Sequence, residues 1–342
     1  MADIEAVVWR DGELVLLDQT QLPQLETHLH CQSVDDVVDA VRRLVVRGAP
    51  ALGAVGAYGV AIAMQQAERE GWDEQRLAAE VGRVRDARPT AVNLAWGADR
   101  VRPLMVDGIA AVLAEADALV AEDTAANREL SRIGADWIES RCARRPLRVL
   151  THSNTGALAT TGWGTAFGII RELFERGEVE LVYADETRPL LQGARLTAWE
   201  CARQGIPYVV QADGAAASTI LRGLVDVAVI GADRIARNGD TANKIGSVGV
   251  ALACHAAGIP FVVAAPSSTV DLSTEAGAEI EIELRDGREV TAWSGVDYAP
   301  AGAQGFNPAF DVTPAAYIAA IVTEQGVVEP DGDASVAALT AP

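Results

Sequence analysis

Cysteine is scarce in this chain: the four residues Cys31, Cys142, Cys201 and Cys254 lie far apart, with no C-x-x-C pair among them. That excludes a disulfide framework and a structural zinc site and leaves reduced, inert packing residues. Aromatic side chains make up 5% against 49% hydrophobic residues. The core must therefore be filled by Ala, Val, Leu and Ile, the usual filling of α/β layers. Positive charge is short as well. Lys and Arg number 28 against 48 Asp and Glu, a net charge of −20, which repels nucleic acid and anionic membrane over most of the surface. Neither is expected as a partner. Any phosphate has to be met by a local pocket, and this background gives weight to Arg47, Arg88 and Lys244.

The opening residues MADIEAVVWRDGE lack the basic start and apolar run of a signal peptide, and no uncharged stretch reaches membrane-spanning length. A cytoplasmic protein is expected. His28 and His30 could share one strand face, but no carboxylate or Cys cluster accompanies them. No metal and no cofactor is expected.

The pattern changes along the chain. Up to about residue 140 it is mainly helical: a short strand over 13–17 precedes apolar residues at helical spacing over 34–46, 51–70, 74–86, 101–120 and 121–141. From Arg148 onward, short β-branched runs alternate with helical stretches. RVLTH, VELVYA from Val179, PYVVQ from Pro207, DVAVI from Asp226 and PFVVAA from Pro260 imply βαβ units and a parallel sheet. Beyond Pro266 an acidic edge strand over 279–284 and a closing helix over 314–324 are expected. The fold class is α/β, with a mainly helical N-terminal domain over 1–143 and a Rossmann-like parallel-sheet domain over 144–328. The basic, proline-bearing Arg144-Arg145-Pro146 marks the boundary. A tail over 329–342, rich in Asp, Ala, Pro and Ser, has little to bury and is expected to be disordered.

Two stretches carry the chemistry. The first strand of the sheet runs into the polar turn His152-Ser153-Asn154-Thr155-Gly156 and then, by its small residues, into a helix, whose N-terminus would offer free N–H groups to an anion. Gly231-Ala232-Asp233-Arg234 places Asp233 just past the end of another apolar strand, where open α/β sheets put their working residues. An anion cradle and a carboxylate at one sheet edge suggest proton chemistry on a phosphorylated substrate. In Arg47-Gly48-Ala49-Pro50 the glycine and proline read as ordinary punctuation between two helices. Arg88-Pro89 reads as a surface cap or as an arginine fork held at a bend. Gln192 lies just inside a helix start, and Asn243-Lys244 open another, where lysine adds a cation to an anion-friendly terminus. His152 reads first as a strand-end histidine bonded to backbone, and as an acid–base group second. Asp233 reads either as a cap partnered by Arg234 or as an acid–base group.

These motifs also carry a family resemblance. Arg47-Gly48-Ala49-Pro50, Arg88-Pro89-Thr90-Ala91-Val92-Asn93-Leu94, the turn from His152, Gln192-Gly193-Ala194-Arg195-Leu196-Thr197, the GADRI stretch from Gly231, Asn243-Lys244-Ile245-Gly246 and the run from Asn307 to Pro314 cover nearly the whole chain. Together they resemble the methylthioribose-1-phosphate isomerases, aldose–ketose isomerases of methionine salvage, within a superfamily shared with the regulatory subunits of the eukaryotic initiation-factor nucleotide exchanger.

The resemblance implies a sugar-phosphate substrate, a homodimer and a site with distinct roles. Arg47, Gly48, Ala49, Arg88, Gln192, Asn243 and Lys244 would bind substrate. Asp233 would exchange protons with it, in a pocket shielded from water so that its pKa rises. One position departs from the family pattern: Ser153 stands where the family has a catalytic Cys in His-Cys-Asn-Thr-Gly. A thiol at a helix N-terminus trades protons near neutrality, whereas a serine hydroxyl needs a base beside it. Ser153 fits a native residue of a slow or altered enzyme, and equally a deliberate exchange of the thiol.

Three other readings compete. An NAD-linked oxidoreductase fails on spacing, since Gly162, Gly164 and Gly168 lie well past the strand end where a dinucleotide fingerprint begins. A non-catalytic regulatory subunit has little reason to keep the whole set of motif residues. A sister isomerase acting on another 5-substituted or 5-deoxy ribose 1-phosphate would differ only in the pocket for the 5-position.

Overall fold

The computed structural model describes residues 4–89, 92–293, 295–330 and 336–340. The chain divides into two compact units, one comprising Met1–Asn127 with Thr155–Gly164, the other Arg128–Asn154 with Thr165–Pro342.

The first unit begins with an antiparallel meander of β1 (Val7–Arg10), β2 (Glu13–Leu17) and β3 (His28–Cys31). Sequence spacing marked only β2, whose Leu14 and Leu16 are fully buried. Its neighbours are four residues each and half-exposed, too short to show a period. The helices α1 (Val34–Arg42), α2 (Ala49–Glu70), α3 (Glu74–Arg85), α4 (Val92–Val101) and the start of α5 (Ile109–Arg141) follow. Helix α2 is buried on all sides from Ala51 to Met64, as its run of Ala, Gly, Val and Ile requires. It can sit at the centre because its neighbour approaches so closely: a Cβ on Gly97 of α4 would lie 1.9 Å from the Gly53 carbonyl oxygen.

The expected helices over 101–120 and 121–141 are instead a 3-10 turn (Arg102–Asp107) and the single 33-residue α5. Pro103 opens the turn, and Gly108, at φ 91°, separates it from a helix that contains no further breaker. The far part of α5 buries Leu130, Ala135 and Ile138 in the core of the second unit.

The second unit is built on a seven-stranded sheet. Its strands are β4 (Leu147–Thr151), β5 (Val179–Asp185), β6 (Tyr208–Gln211), β7 (Val227–Ile230), β10 (Phe261–Ala264), β15 (Ala320–Thr323) and β16 (Gly326–Val328), in the order β16-β15-β10-β7-β4-β5-β6. All pair in parallel except β16. Helices α6 (Ala166–Glu175), α7 (Ala198–Gln204), α8 (Ala216–Leu221) and α9 (Ser247–Ala257) connect them. A side sheet is formed by β8 (Arg234–Ala236), β9 (Thr241–Lys244), β11 (Val270–Asp271) and β14 (Phe310–Thr313), and β12 (Ala292–Trp293) pairs with β13 (Val296–Asp297). All five expected strands of the parallel sheet form.

Two expectations fail here. The closing helix over 314–324 is a 3-10 turn followed by β15. Ala320 to Thr323 is fully buried beside β10, and a short apolar run buried on both faces carries no period to separate strand from helix. The acidic strand over 279–284 finds no ladder beyond one bridge between Leu284 and Pro308. Of the expected tail, 331–335 and 341–342 lie outside the described residues, whereas Val336 and Leu339 are each 1% exposed in a core cluster. Among the described residues no helix is long and apolar enough to cross a membrane.

The glycine of Arg47-Gly48-Ala49-Pro50 has a specific task. Gly48 is the N-cap of α2 at φ 92°, and a Cβ there would lie 2.0 Å from the carbonyl oxygen of Ala159. Gly48→Ala thus meets both left-handed strain and a backbone clash. It is expected to lower unfolding stability by about 2 kcal/mol or more; a urea midpoint equal to that of the unchanged protein would contradict the packing described.

Candidate active site

Strand order decides where the loops of the second unit converge. The chain winds from β4 outward through β5 and β6, then returns to the other side of β4 through β7 and β10. The reversal lies between β4 and β7, which pair at Val149–Val227 and Leu150–Ala228. At such a switch point the connections leave in opposite directions and open a crevice at the carboxyl ends of the strands. Ser153 leaves β4 there, and Asp233 leaves β7.

Ser153 does not sit at a helix N-terminus. Residues 153–165 are turns and loop, and α6 begins only at Ala166. The small residues that resembled a helix serve close contacts, such as the bridge between Gly156 and Gly164. Ser153 itself is 8% exposed and adopts φ 65°, a left-handed conformation that a serine pays for in strain. Two buried threonines hold it. The Ser153 N–H donates to Thr187 Oγ1 at 2.8 Å, and Thr197 Oγ1 donates to the Ser153 carbonyl at 2.6 Å. Asn154 is anchored as well, its Nδ2 donating to buried Glu200 at 2.8 Å.

Thr187 is fixed in turn by Asp213, which accepts from the N–H groups of Thr187 (2.7 Å) and Arg188 (2.6 Å). Gln192 is 6% exposed, and its Oε1 has no hydrogen-bond partner among the described residues. A buried, unsatisfied acceptor costs free energy unless a ligand donor meets it.

Asp233 lies beyond the end of β7 and is exposed, not shielded as the family resemblance implied, because Gly231 and Ala232 carry it past the sheet edge. Its N–H donates to the Ala242 carbonyl at 2.9 Å. Arg234, next to it, pairs with Asp271 at 3.2 Å.

Asn243 and Lys244 end strand β9 and do not open a helix; α9 starts at Ser247. Asn243, 4% exposed, donates from Nδ2 to Ser247 Oγ at 2.9 Å. The Lys244 ammonium donates to the Ala309 carbonyl at 3.0 Å and stands 4.0 Å from the Phe310 ring centroid. Lys244 is the single lysine of the chain, every other basic residue being arginine. That count is a signal the motif-by-motif reading passed over. Asp311, unassigned from sequence, accepts from the N–H groups of Gly246 (2.7 Å) and Val248 (3.3 Å).

Arg47, Gly48, Ala49 and Arg88 belong to the first unit. Arg47 and Arg88 are half-buried and precede α2 and α4, whose first turns pack together where Gly53 meets Asn93. Because α1 ends at Arg42, Arg47-Gly48-Ala49-Pro50 starts one helix and does not also end another.

A sequence profile of the initiation factor 2 subunit family matches residues 45–330. The chain belongs to that family. It is 47% identical to a methylthioribose-1-phosphate isomerase of Desulforudis audaxviator over 96% of this chain and 95% of the relative. It is 52% identical to a probable bifunctional methylthioribose-1-phosphate isomerase/methylthioribulose-1-phosphate dehydratase of Nocardia farcinica, over 95% of this chain but 59% of that longer relative. Among solved structures, the 5-methylthioribose 1-phosphate isomerase of Pyrococcus horikoshii is similar with a TM-score of 0.87 at 35% identity, covering 96% of this chain and 93% of that one. The translation initiation factor eIF-2B subunit delta of A. fulgidus is similar with a TM-score of 0.86 at 39% identity, covering 96% of both chains. The similar solved structures thus include both a named isomerase and a named translation factor.

The cysteines of this family member are free, and burial raises all four thiols, Cys31 and Cys254 to about 12. They stay protonated near neutrality.

His152 is deeply set at the edge, 1% exposed, with Nδ1 3.0 Å from Asp185 Oδ2 and Nε2 2.8 Å from the Ile245 carbonyl oxygen. A carbonyl only accepts, so Nε2 carries a hydrogen, and Nδ1 shares a second proton with Asp185. Burial opposes charge on His152, but the bond to Asp185 and the Asp185 and Asp213 carboxylates raise its pKa above the ordinary value; burial raises Asp185 too. Asp311, Lys244 and Cys254 are the other titratable groups in its surroundings.

A pair that holds its proton more tightly when folded contributes stability fully below about pH 6.5 and loses it as pH rises through the folded value. The urea midpoint is therefore expected to fall between pH 6 and pH 9. In Asp185→Asn, where the ring loses its counter-charge, the fall should be smaller; an equal fall in both proteins counts against proton sharing.

Proposed function

We propose that the chain is a methylthioribose-1-phosphate isomerase of methionine salvage, converting the aldose 5-methylthioribose 1-phosphate into the ketose 5-methylthioribulose 1-phosphate. The observation that carries this reading is the placement of Ser153 and Asp233 at the carboxyl ends of adjacent strands where the sheet winding reverses. The full-length likeness to the Desulforudis audaxviator isomerase supports it.

The chemistry needs two proton movements. The anomeric oxygen of this substrate is esterified, so the ring cannot open to a free aldehyde. Opening places a proton on the ring oxygen, while ketone formation removes one from the C2 hydroxyl and moves the C2 hydrogen to C1. We assign this traffic to Asp233 and Ser153. Gln192, Asn243 and Lys244 are assigned to sugar and phosphate oxygens, the unsatisfied Gln192 Oε1 being an acceptor for a sugar hydroxyl. Arg47, Gly48, Ala49 and Arg88 are assigned to the phosphate by the family resemblance, against a net charge of −20 that offers anions little elsewhere.

Ser153 also favours a second reading. With a serine in place of the family thiol, a sugar-phosphate-binding protein without turnover is the alternative, in keeping with the likeness to the A. fulgidus translation initiation factor subunit.

A homodimer and a cytoplasmic location remain part of the proposal. The apolar segment that suggested a dimer from sequence is the buried strand β15. The edge strand β6, with Tyr208, Val209 and Val210 at 36%, 41% and 45% exposure, supports an interface instead. Sedimentation as a concentration-independent monomer near 35.9 kDa would count against the dimer.

The decisive assay uses methylthioribose 1-phosphate. Asp233→Asn should cut turnover by about two orders of magnitude or more while leaving binding nearly unchanged. Ser153→Cys supplies a thiol, a far stronger acid than a hydroxyl, and should raise turnover by roughly two orders of magnitude. Binding without turnover in both the Ser153 and Cys forms would favour the silent binding protein, and equal loss of binding and rate in Asp233→Asn would make that carboxylate structural.

A further inference from the structure

We propose that His152 is a positioning residue that sets the 243–248 turn, and through it the Lys244 ammonium and the Asn243 amide, by fixing the Ile245 carbonyl. The proposal rests on reading Lys244 and Asn243 as substrate contacts.

The turn is gripped from two sides. On one side the His152 Nε2–H donates to Ile245 O at 2.8 Å. On the other, Asp311 accepts from the Gly246 and Val248 N–H groups, and the Ile245 N–H donates to Ala309 O at 3.1 Å. The imidazole also packs closely against the chain at Gly246, where a Cβ would lie 2.7 Å from its Cε1. No side chain fits between ring and turn.

The ring is itself held by a buried series of bonds. Asp185 Oδ2 meets Nδ1 at 3.0 Å, Gln211 Nε2 donates to Asp185 Oδ1 at 2.8 Å, and Thr219 Oγ1 donates to Gln211 Oε1 at 2.8 Å. This line runs from α8 through the ends of β6, β5 and β4 to the turn before α9. His152 has both nitrogens committed, so it has no site left for a substrate proton; it acts on the turn.

The single lysine makes the proposal testable without reference to catalysis. Trinitrobenzenesulfonate meets one ε-amine in this chain, so its slow phase reports on Lys244 alone once the terminal amine is accounted for. In His152→Ala, amide exchange at 245–248 and the Lys244 labelling rate should each rise by about tenfold, the order expected from losing one buried hydrogen bond. His152→Gln, whose amide can still donate to Ile245, should restore much of both. Steady-state assays on methylthioribose 1-phosphate should show a similar rise in KM for His152→Ala with a smaller change in kcat.

Unchanged exchange and labelling in a folded His152→Ala protein would overturn the proposal, as would a Gln variant no better than Ala. If His152→Ala does not fold, the comparison of His152→Gln with the unchanged protein, and of Asp185→Asn with both, decides by the same two readouts. A protein that shows the exchange and labelling effects but neither binds nor converts the sugar phosphate retains the positioning role and loses the isomerase reading.

Discussion

Two short registers, Val149 against Val227 and Leu150 against Ala228, hold the first strand of the parallel sheet beside the fourth. Thr151 prolongs the contact by donating from Oγ1 to the Val229 carbonyl at 2.8 Å. All six residues are fully or almost fully buried, so a one-residue slip would turn apolar side chains away from their partners on both faces. That fixed register sets where the chain leaves the sheet at His152 and at Gly231. Every loop of the carboxyl edge inherits its starting point from it.

Beyond the sheet, order depends on polar side chains bonded to backbone. Thr187, Thr197, Asp213 and Asp311 all spend their oxygens on peptide groups of neighbouring loops. Burial of an unpaired peptide group costs about 1–3 kcal/mol, so each of these bonds offsets a penalty the irregular backbone would otherwise incur. It also allows Ser153 and Thr187 to stay at positive φ. In a chain with 48 acidic residues, part of the negative charge near the edge is thereby consumed by N–H donors, and the anionic character of composition overstates what the edge presents.

The parallel sheet was legible because its strands are separate β-branched runs divided by helical stretches, and β7 reads directly from Val227 to Ile230. Asp233 and Ser153 were legible as strand-end residues for the same reason. What escaped was mostly set by tertiary context. Small residues after Ser153 look like helix, yet they form a loop because Gly156, Ala159 and Gly164 are needed for close backbone contacts. Asn243 and Lys244 precede a helix closely enough to suggest its first turn, but antiparallel pairing with Asp311 and Phe310 holds them in a strand. Thr187, Thr197, Asp213 and Asp311 carry no local pattern, since their partners lie tens of residues away in sequence.

The excursion of Thr155–Gly164 into the first unit has a practical side. Gln19 donates to the Leu158 carbonyl at 2.7 Å, Asp123 accepts from Thr161, and Gly48 lies against Ala159. The polypeptide therefore passes between the units after Asn127, again after Asn154 and once more after Gly164, and no single cut yields two self-sufficient halves. A fragment starting at Arg128 would carry a ten-residue segment stripped of its packing, and one ending at Asn127 would lack it. A cut at any one of these three crossings therefore parts a segment from its packing, and the two units are best expressed as one piece.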